Sequence, residues 1–179
     1  KLGEHFDIIE SIGVLHHMDD PSVGWAVLTE LLGPSGLMKI GLYSELARKD
    51  IVTIREEIAA LGLRGCESDI RDFRHHIAQS TKSHHKQLTL SKDFFSLSEL
   101  RDAIFHIQEH RFTIPQLVEC LENLKLQFCG FTPSELNHEL DLYYNGQADR
   151  HNLNAWHQFE VDHPDTFRGM YQFWCQKTA

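Results

Sequence analysis

The sequence predicts an α/β fold. Two apolar stretches, Phe6–Leu15 and Leu37–Tyr43, have the composition of buried strands. Between them, Trp25, Leu28 and Leu31 recur at the spacing of one face of a helix. This strand–helix–strand order is typical of a parallel sheet covered by helices.

The first strand ends in a turn that carries two histidines. In open α/β sheets, ligands bind outside the carboxyl ends of parallel strands, and a small residue such as Gly13 lets the backbone approach a ligand closely. His16 and His17 follow that glycine, and an imidazole with a pKa of about 6.5 is largely neutral and able to accept a proton at neutral pH. The alternative is that either histidine only packs or hydrogen-bonds in the turn.

Helix start and stop signals define the elements that follow. Asp19 or Asp20 can cap a helix whose first residue is Pro21, and the glycine-rich segment 33–36 ends it near Leu32. Further helices are expected over 44–63, 68–79, from Ser96 through the histidines at 106 and 110, and over 113–124, 133–144 and 153–161. Residues 81–86 are expected to form a loop, residues 126–131 and 171–176 strands, and the aromatic residues after 155 part of the core.

Two motifs resemble the second half of the class I S-adenosylmethionine-dependent methyltransferase domain, from its fourth strand onward. They are FDIIESIGVLHHMDDP at 6–21 and LLGPSGLMKIGLYSELAR at 31–48. RDAIFHIQEHRFT, LQFCGF and GMYQFW resemble a bacterial subgroup often fused to tetratricopeptide repeats. The resemblance implies a partial Rossmann-like methyltransferase sheet, with strands four to seven in the order four, five, seven, six, and a large helical insertion.

The resemblance also implies a function and site residues. The function would be S-adenosylmethionine-dependent methyl transfer to an unknown small-molecule or protein acceptor. Ser11, Gly13, Val14 and Leu15 would bind the cofactor, and His16 and His17 would be the catalytic pair, although an activated sulfonium needs positioning more than a strong base. The acceptor pocket would be lined by Tyr43, Arg48, Arg101, His106 and His110, with Arg101 holding an anionic group. For any one of these, an ordinary ion pair or helix cap is the alternative.

A rival interpretation begins from the HxxEH string formed by His106, Glu109 and His110. On a helix, residues four apart share a face, so two histidines of a metal-dependent hydrolase would point the same way. A third ligand would have to come from elsewhere, and the methyltransferase interpretation expects no metal. A non-catalytic, self-associating interaction domain is the second rival.

The expected organisation is the second half of the cofactor-binding core over 1–63, a helical region covering the acceptor site over 64–123, and a terminal antiparallel strand pair with a helical excursion over 124–179. The 179 residues contain no GxGxxG-like turn, so we expect a fragment that binds the cofactor weakly or not at all. The strand at Phe6–Ile9 would then present an unpaired edge, which favours a homodimer or a borrowed strand.

The amino-acid composition bears on which classes of partner the protein can bind. Lys plus Arg number 17 against 26 Asp plus Glu, a formal net charge of -9, so nucleic acid is an unlikely ligand. The stretch of basic residues between 64 and 92 is interrupted by Glu67, Asp69 and Asp72 and is interpreted mainly as a solvated face, in preference to a nucleic-acid patch. Because no apolar run approaches the roughly 20 residues that span a bilayer, we expect no membrane association and a soluble, cytoplasmic protein.

Overall fold

The strand–helix–strand unit expected from the sequence is present in the computed structural model, which describes residues 4–106, 108–132 and 135–178. The chain divides into two compact units. We call residues 1–47 with 108–179 the sheet unit, and residues 48–107 the helical unit.

The sheet unit is organised by one mixed sheet. Its strands are β1 (Phe6–Ile12), β2 (Leu32–Ser44), β3 (Arg111–Phe112), β4 (Leu126–Thr132) and β5 (Tyr171–Lys177). The order is β1-β2-β5-β4, with β3 paired to the end of β2. β1 is parallel to β2, whereas β5 is antiparallel to both β2 and β4. The α/β class, the strand order and the terminal antiparallel pair are therefore confirmed.

Eight α-helices accompany the strands in the described residues. They are α1 (Pro21–Leu31), α2 (Lys49–Ala60), α3 (Glu67–Gln79), α4 (Ser83–Thr89), α5 (Leu97–Ile104), α6 (Ile114–Asn123), α7 (Glu135–Tyr143) and α8 (Leu153–Asp162). Asp20 caps α1 by accepting a hydrogen bond from the Ser22 amide at 2.9 Å. Thr113 and Gln116 form a reciprocal capping box at the start of α6. The helix starts were thus predictable from local chemistry. Pro133 and Ser134, at the start of the expected helix 133–144, lie outside the described residues.

The core of the sheet unit is rich in aromatic side chains from the end of the chain. Trp25, Ile40 and Leu42 belong to the same cluster of buried residues. As expected, the buried terminal aromatics are Trp156, Phe159, Phe167, Tyr171 and Phe173. Their rings contact one another and Phe131, which fixes α8 and β5 in one core.

The helical unit has a core of its own. Ile54 and Ile58 of α2 pack with Phe73 of α3 and Leu100 of α5. For that reason α2 groups with the helices and not with the α/β core, to which residues 1–63 were assigned. Likewise α6 buries Leu117 in the sheet unit. The division observed at 47/48 and 107/108 therefore differs from the expected boundaries at 63/64 and 123/124.

Two local expectations are wrong. Residues 81–86 are expected to form a loop, but residues 83–89 form helix α4, because His85 and Leu88 are buried against neighbouring helices. The helix that starts after Ser96 ends at Ile104, with Phe105 as its C-cap. His106 and His110 therefore do not lie on that helix.

β1 lies at one edge of the sheet. Among the described residues it pairs with β2 alone, and Ile8 is 60% exposed. Separately, none of the helices in the described residues is both long and apolar enough to cross a bilayer.

Candidate functional site

The turn after β1 is held in a backbone conformation that favours glycine. Gly13 has φ +74°, and its amide donates a hydrogen bond to the Gly41 carbonyl oxygen at 3.4 Å. A Cβ at Gly13 would meet no described atom within 4 Å. The left-handed backbone, and not crowding by protein atoms, is thus the reason for a glycine here.

The two histidines of this turn form a hydrogen-bonded pair. His16 Nε2 lies 3.1 Å from His17 Nε2, and His17 Nδ1 lies 3.0 Å from the Gln108 carbonyl oxygen. Since a carbonyl only accepts, His17 Nδ1 carries the hydrogen, and in the neutral ring its Nε2 accepts from the Nε2–H of His16. Neutral His16 then has Nδ1 as its basic nitrogen.

Residues 108–110 lie against this turn. Gln108 donates through Nε2 to the Met18 carbonyl oxygen at 3.1 Å and lies 3.2 Å from His110 Nε2, which accepts. The His110 amide donates to the His16 carbonyl oxygen at 2.8 Å. These bonds fix His110 beside the histidine pair.

The Tyr43 ring completes the group at the end of β2. Its centroid lies 4.3 Å from that of His16. The structure thus brings four predicted site residues together at the carboxyl ends of two parallel strands: His16, His17, Tyr43 and His110. Their roles in binding or catalysis stay predictions.

The residues expected to bind cofactor differ in exposure. Ser11 is buried, and the Leu15 side chain packs in the core of the sheet unit with Trp25. Val14 is 54% exposed, next to Gly13. A ligand at the end of β1 would therefore meet Val14 and backbone atoms, and not the side chain of Leu15.

The other three residues assigned to the acceptor pocket belong to the helical unit. Arg48 is buried, and its guanidinium donates to the Ala103 carbonyl oxygen at 3.5 Å. Arg101 is exposed in the last turn of α5, and His106 follows the end of that helix. Their assignment to the pocket stays a prediction.

The HxxEH interpretation loses its structural basis. It required His106 and His110 on one helical face, but α5 ends at Ile104. His110 instead accepts from Gln108 in a segment without regular secondary structure that precedes β3. The spacing of the string is not helical spacing here.

One buried polar group beside the site was not predicted. Glu160 of α8 is fully buried and accepts hydrogen bonds from Ser44 Oγ at 2.5 Å and from the Tyr171 hydroxyl at 2.7 Å. Burial raises the pKa of Glu160. Ser44 directly follows Tyr43, so this network anchors the end of β2. The available signal was an acidic residue at helical spacing from Leu153 and Trp156, on the apolar face of α8.

A second unpredicted group lies in the helical unit. The Glu57 carboxylate accepts from Lys82 Nζ at 2.7 Å, His84 Nε2 at 2.9 Å and His85 Nε2 at 2.7 Å. Burial alone would raise the pKa of Glu57, but these three donors outweigh it and lower the pKa to about 2. Burial lowers the pKa of the His85 imidazole, against the opposing effect of Glu57.

Comparisons with known proteins support the fold. No protein-family model matches the chain. The uncharacterized protein syc1184_c from Synechococcus is 32% identical over 141 residues, which are 74% of this chain and 33% of that protein.

Among solved structures, PKMT2 from Rickettsia typhi matches with a TM-score of 0.63 and 15% identity, over 96% of this chain and 35% of its own. Its complex with AdoHcy matches with a TM-score of 0.61 and 16% identity, over 98% of this chain and 36% of its own. The chain therefore has a methyltransferase-like α/β fold, and it spans about a third of the length of these relatives.

Proposed function

We propose that this chain is part of an S-adenosylmethionine-dependent methyltransferase and that it contributes the carboxyl ends of β1 and β2 to the cofactor site. The observation that carries the proposal is the likeness in fold to PKMT2 in complex with AdoHcy, at a TM-score of 0.61 over 98% of the chain. AdoHcy is S-adenosylhomocysteine, which remains when S-adenosylmethionine has given up its methyl group. The Gly13 turn at the end of a parallel strand is where such a fold binds its ligand.

In this proposal, residues of a longer protein complete the cofactor site. The chain spans about a third of the length of its relatives, and its 179 residues lack a GxGxxG-like turn. Gly13 and Val14 would meet the cofactor, and Ser11 and Leu15 would contribute backbone only. We expect weak or no binding by the chain alone and micromolar binding by the longer protein.

His16 and His17 would act by positioning. Both ring nitrogens of His17 take part in hydrogen bonds, and His16 is fully buried. Methyl transfer from a sulfonium is an in-line displacement, which depends on alignment of the reactants and exclusion of water. The histidine pair, held by Gln108 and by contact with Tyr43, would keep the turn rigid while an acceptor, a small molecule or a protein, approaches.

The test compares two glycines with the same backbone conformation. Gly13 has φ +74° and Gly62, in the helical unit, has φ +68°; at both, a Cβ meets no described atom within 4 Å. An alanine in this left-handed backbone conformation costs about 1 to 2 kcal/mol at either position. AdoHcy is titrated calorimetrically into the longer protein and its two alanine variants.

Gly13→Ala is expected to weaken AdoHcy binding at least about tenfold, or 1.4 kcal/mol, because the turn that meets the cofactor must change its backbone. Gly62→Ala is expected to bind like wild type. Equal affinities in all three proteins, or no binding by the longer protein, would contradict the proposal.

A second candidate function is self-association through β1, favoured by the 60% exposure of Ile8 on a strand that pairs with β2 alone among the described residues. Light scattering of the chain alone should then show a homodimer, and Ile8→Lys should return it to monomer. A wild-type chain that stays monomeric at high concentration would exclude this function.

A further inference from the structure

A group of side chains that could hold a metal ion lies in the helical unit, and it is not part of the proposed cofactor site. It consists of Glu57 on α2 and His84 and His85 on α4, and we call it the Glu57 cluster. One ligand atom from each of the three residues lies within 4.8 Å of the other two. We propose that the Glu57 cluster is a binding site for a divalent transition metal, with zinc as the best match.

The donor set fits that chemistry. Two imidazole nitrogens and one carboxylate oxygen are a common set of three protein ligands for zinc, with bonds of about 2.0 to 2.2 Å. In the Glu57 cluster both Nε2 atoms already point at the carboxylate, at 2.9 Å and 2.7 Å. A cation placed between the three atoms needs only small side-chain adjustments to reach bonding distance from each.

His85 supplies an independent observation. Its side chain is fully buried, and its Nδ1 has no hydrogen-bond partner among the described residues. Its Nε2 lies 2.7 Å from Glu57 Oε2, so the buried ring is held with this nitrogen facing the carboxylate, where a metal would bind.

The surroundings of the cluster allow exchange with a metal. The Phe73 and His76 rings lie against His85, at centroid distances of 6.2 Å and 5.6 Å, and close the inner side. Lys82 occupies the outer side with its ammonium on Glu57, and its side chain is 52% exposed. A metal would replace that ammonium, which moves into water at little cost.

Protons balance in this exchange. With neutral rings, the Nε2–H hydrogen of each histidine moves to Nδ1, which leaves the Nε2 lone pairs for the metal. Lys82 stays protonated when it leaves the carboxylate. The metal site therefore needs neither a redox partner nor the loss of a proton.

The experiment uses the untagged chain, freed of metal with a chelator, and zinc titrated against a chromophoric competitor. His84→Gln removes one ligand, and His75→Gln is the matched control, because His75 is exposed on α3 and bonds Gln79. We expect one zinc per chain, an affinity at least tenfold weaker in His84→Gln, and wild-type affinity in His75→Gln. Cobalt should give the visible spectrum of a tetrahedral site in wild type and not in His84→Gln.

Lys82→Met tests the site without removing a ligand, and so keeps the proposal testable if His84→Gln unfolds. Loss of the competing ammonium should tighten zinc binding severalfold. The proposal is overturned if the wild-type chain binds no stoichiometric zinc, if His84→Gln and His75→Gln weaken binding equally, or if Lys82→Met leaves the affinity unchanged.

Discussion

The substitution Glu57→Gln tests how much one carboxylate stabilises the helical unit when no metal is bound. Glutamine keeps the size of the side chain and one carbonyl oxygen, but it removes the negative charge of the carboxylate that accepts three hydrogen bonds. Lys82 is half exposed, so its pair with Glu57 is worth about 0.2 to 1 kcal/mol. His85 is fully buried, so weakening the acceptor of its hydrogen bond costs about 1 to 3 kcal/mol.

The pKa of Glu57 gives a second route to the same number. A pKa of about 2 in place of 4.5 corresponds to at most about 3 kcal/mol at 1.36 kcal/mol per pH unit. The side chain of Glu57 is 23% exposed, and screening by solvent reduces this to about 2 kcal/mol. We therefore expect Glu57→Gln to destabilise the helical unit by about 2 kcal/mol at neutral pH.

Native-state hydrogen exchange of the α4 amides, with a chelator present, is the assay, because it reports on this unit by itself. Glu56→Gln is the control, since Glu56 is the exposed neighbour on the same helix. The folded-state pKa of Glu57 is lowered, so its stabilisation is present above pH 4.5 and is lost as the pH falls toward 2. If Glu57→Gln costs less than about 0.5 kcal/mol, or if both variants have the same acid sensitivity, the Glu57 carboxylate does not stabilise the helical unit in this way.

Three further predictions concern the sheet unit. Because the pKa of Glu160 is raised, its contribution to stability is complete below pH 4.5 and declines as the pH rises. Urea unfolding at several pH values should show that Glu160→Gln removes this decline. An unchanged dependence of the unfolding free energy on pH would count against it. Phe173→Ala should cost about 3 to 5 kcal/mol in thermal unfolding, and the partly exposed Trp174→Ala clearly less. Thr113→Ala should cost about 1 kcal/mol by loss of the α6 cap, in contrast to a neutral Glu119→Ala on the same helix.

Sequence reasoning succeeded where local chemistry decides the structure. Asp20 and Pro21 begin α1, and Thr113 with Gln116 begins α6, because caps depend on residues within one turn. The strand order was predicted from a family resemblance whose motifs cover β1 and β2, and the sheet topology confirms this order.

It failed where distant residues decide. The polar segment 81–86 has no helical pattern of its own, and residues 83–89 form α4 because His85 and Leu88 are buried against other helices. Glu57 lies 27 residues before His84, so the local sequence around either residue does not predict their contact. Likewise, α5 ends at Ile104, so the helix that the HxxEH interpretation requires is absent from the described residues.

The histidine group lies between these cases. The position of His16 and His17 at the end of a parallel strand was predictable from the order of elements. Their hydrogen bonds to Gln108 and His110 join segments far apart in the chain, and only the fold shows which nitrogen of each ring carries the hydrogen.

Hydrogen–deuterium exchange of the longer protein, with and without AdoHcy, tests the proposal that the end of β1 meets the methyl-donor cofactor. We expect slower exchange in peptides that cover residues 11–17 when AdoHcy is bound. AdoHcy binding that leaves the exchange of these peptides unchanged would contradict it.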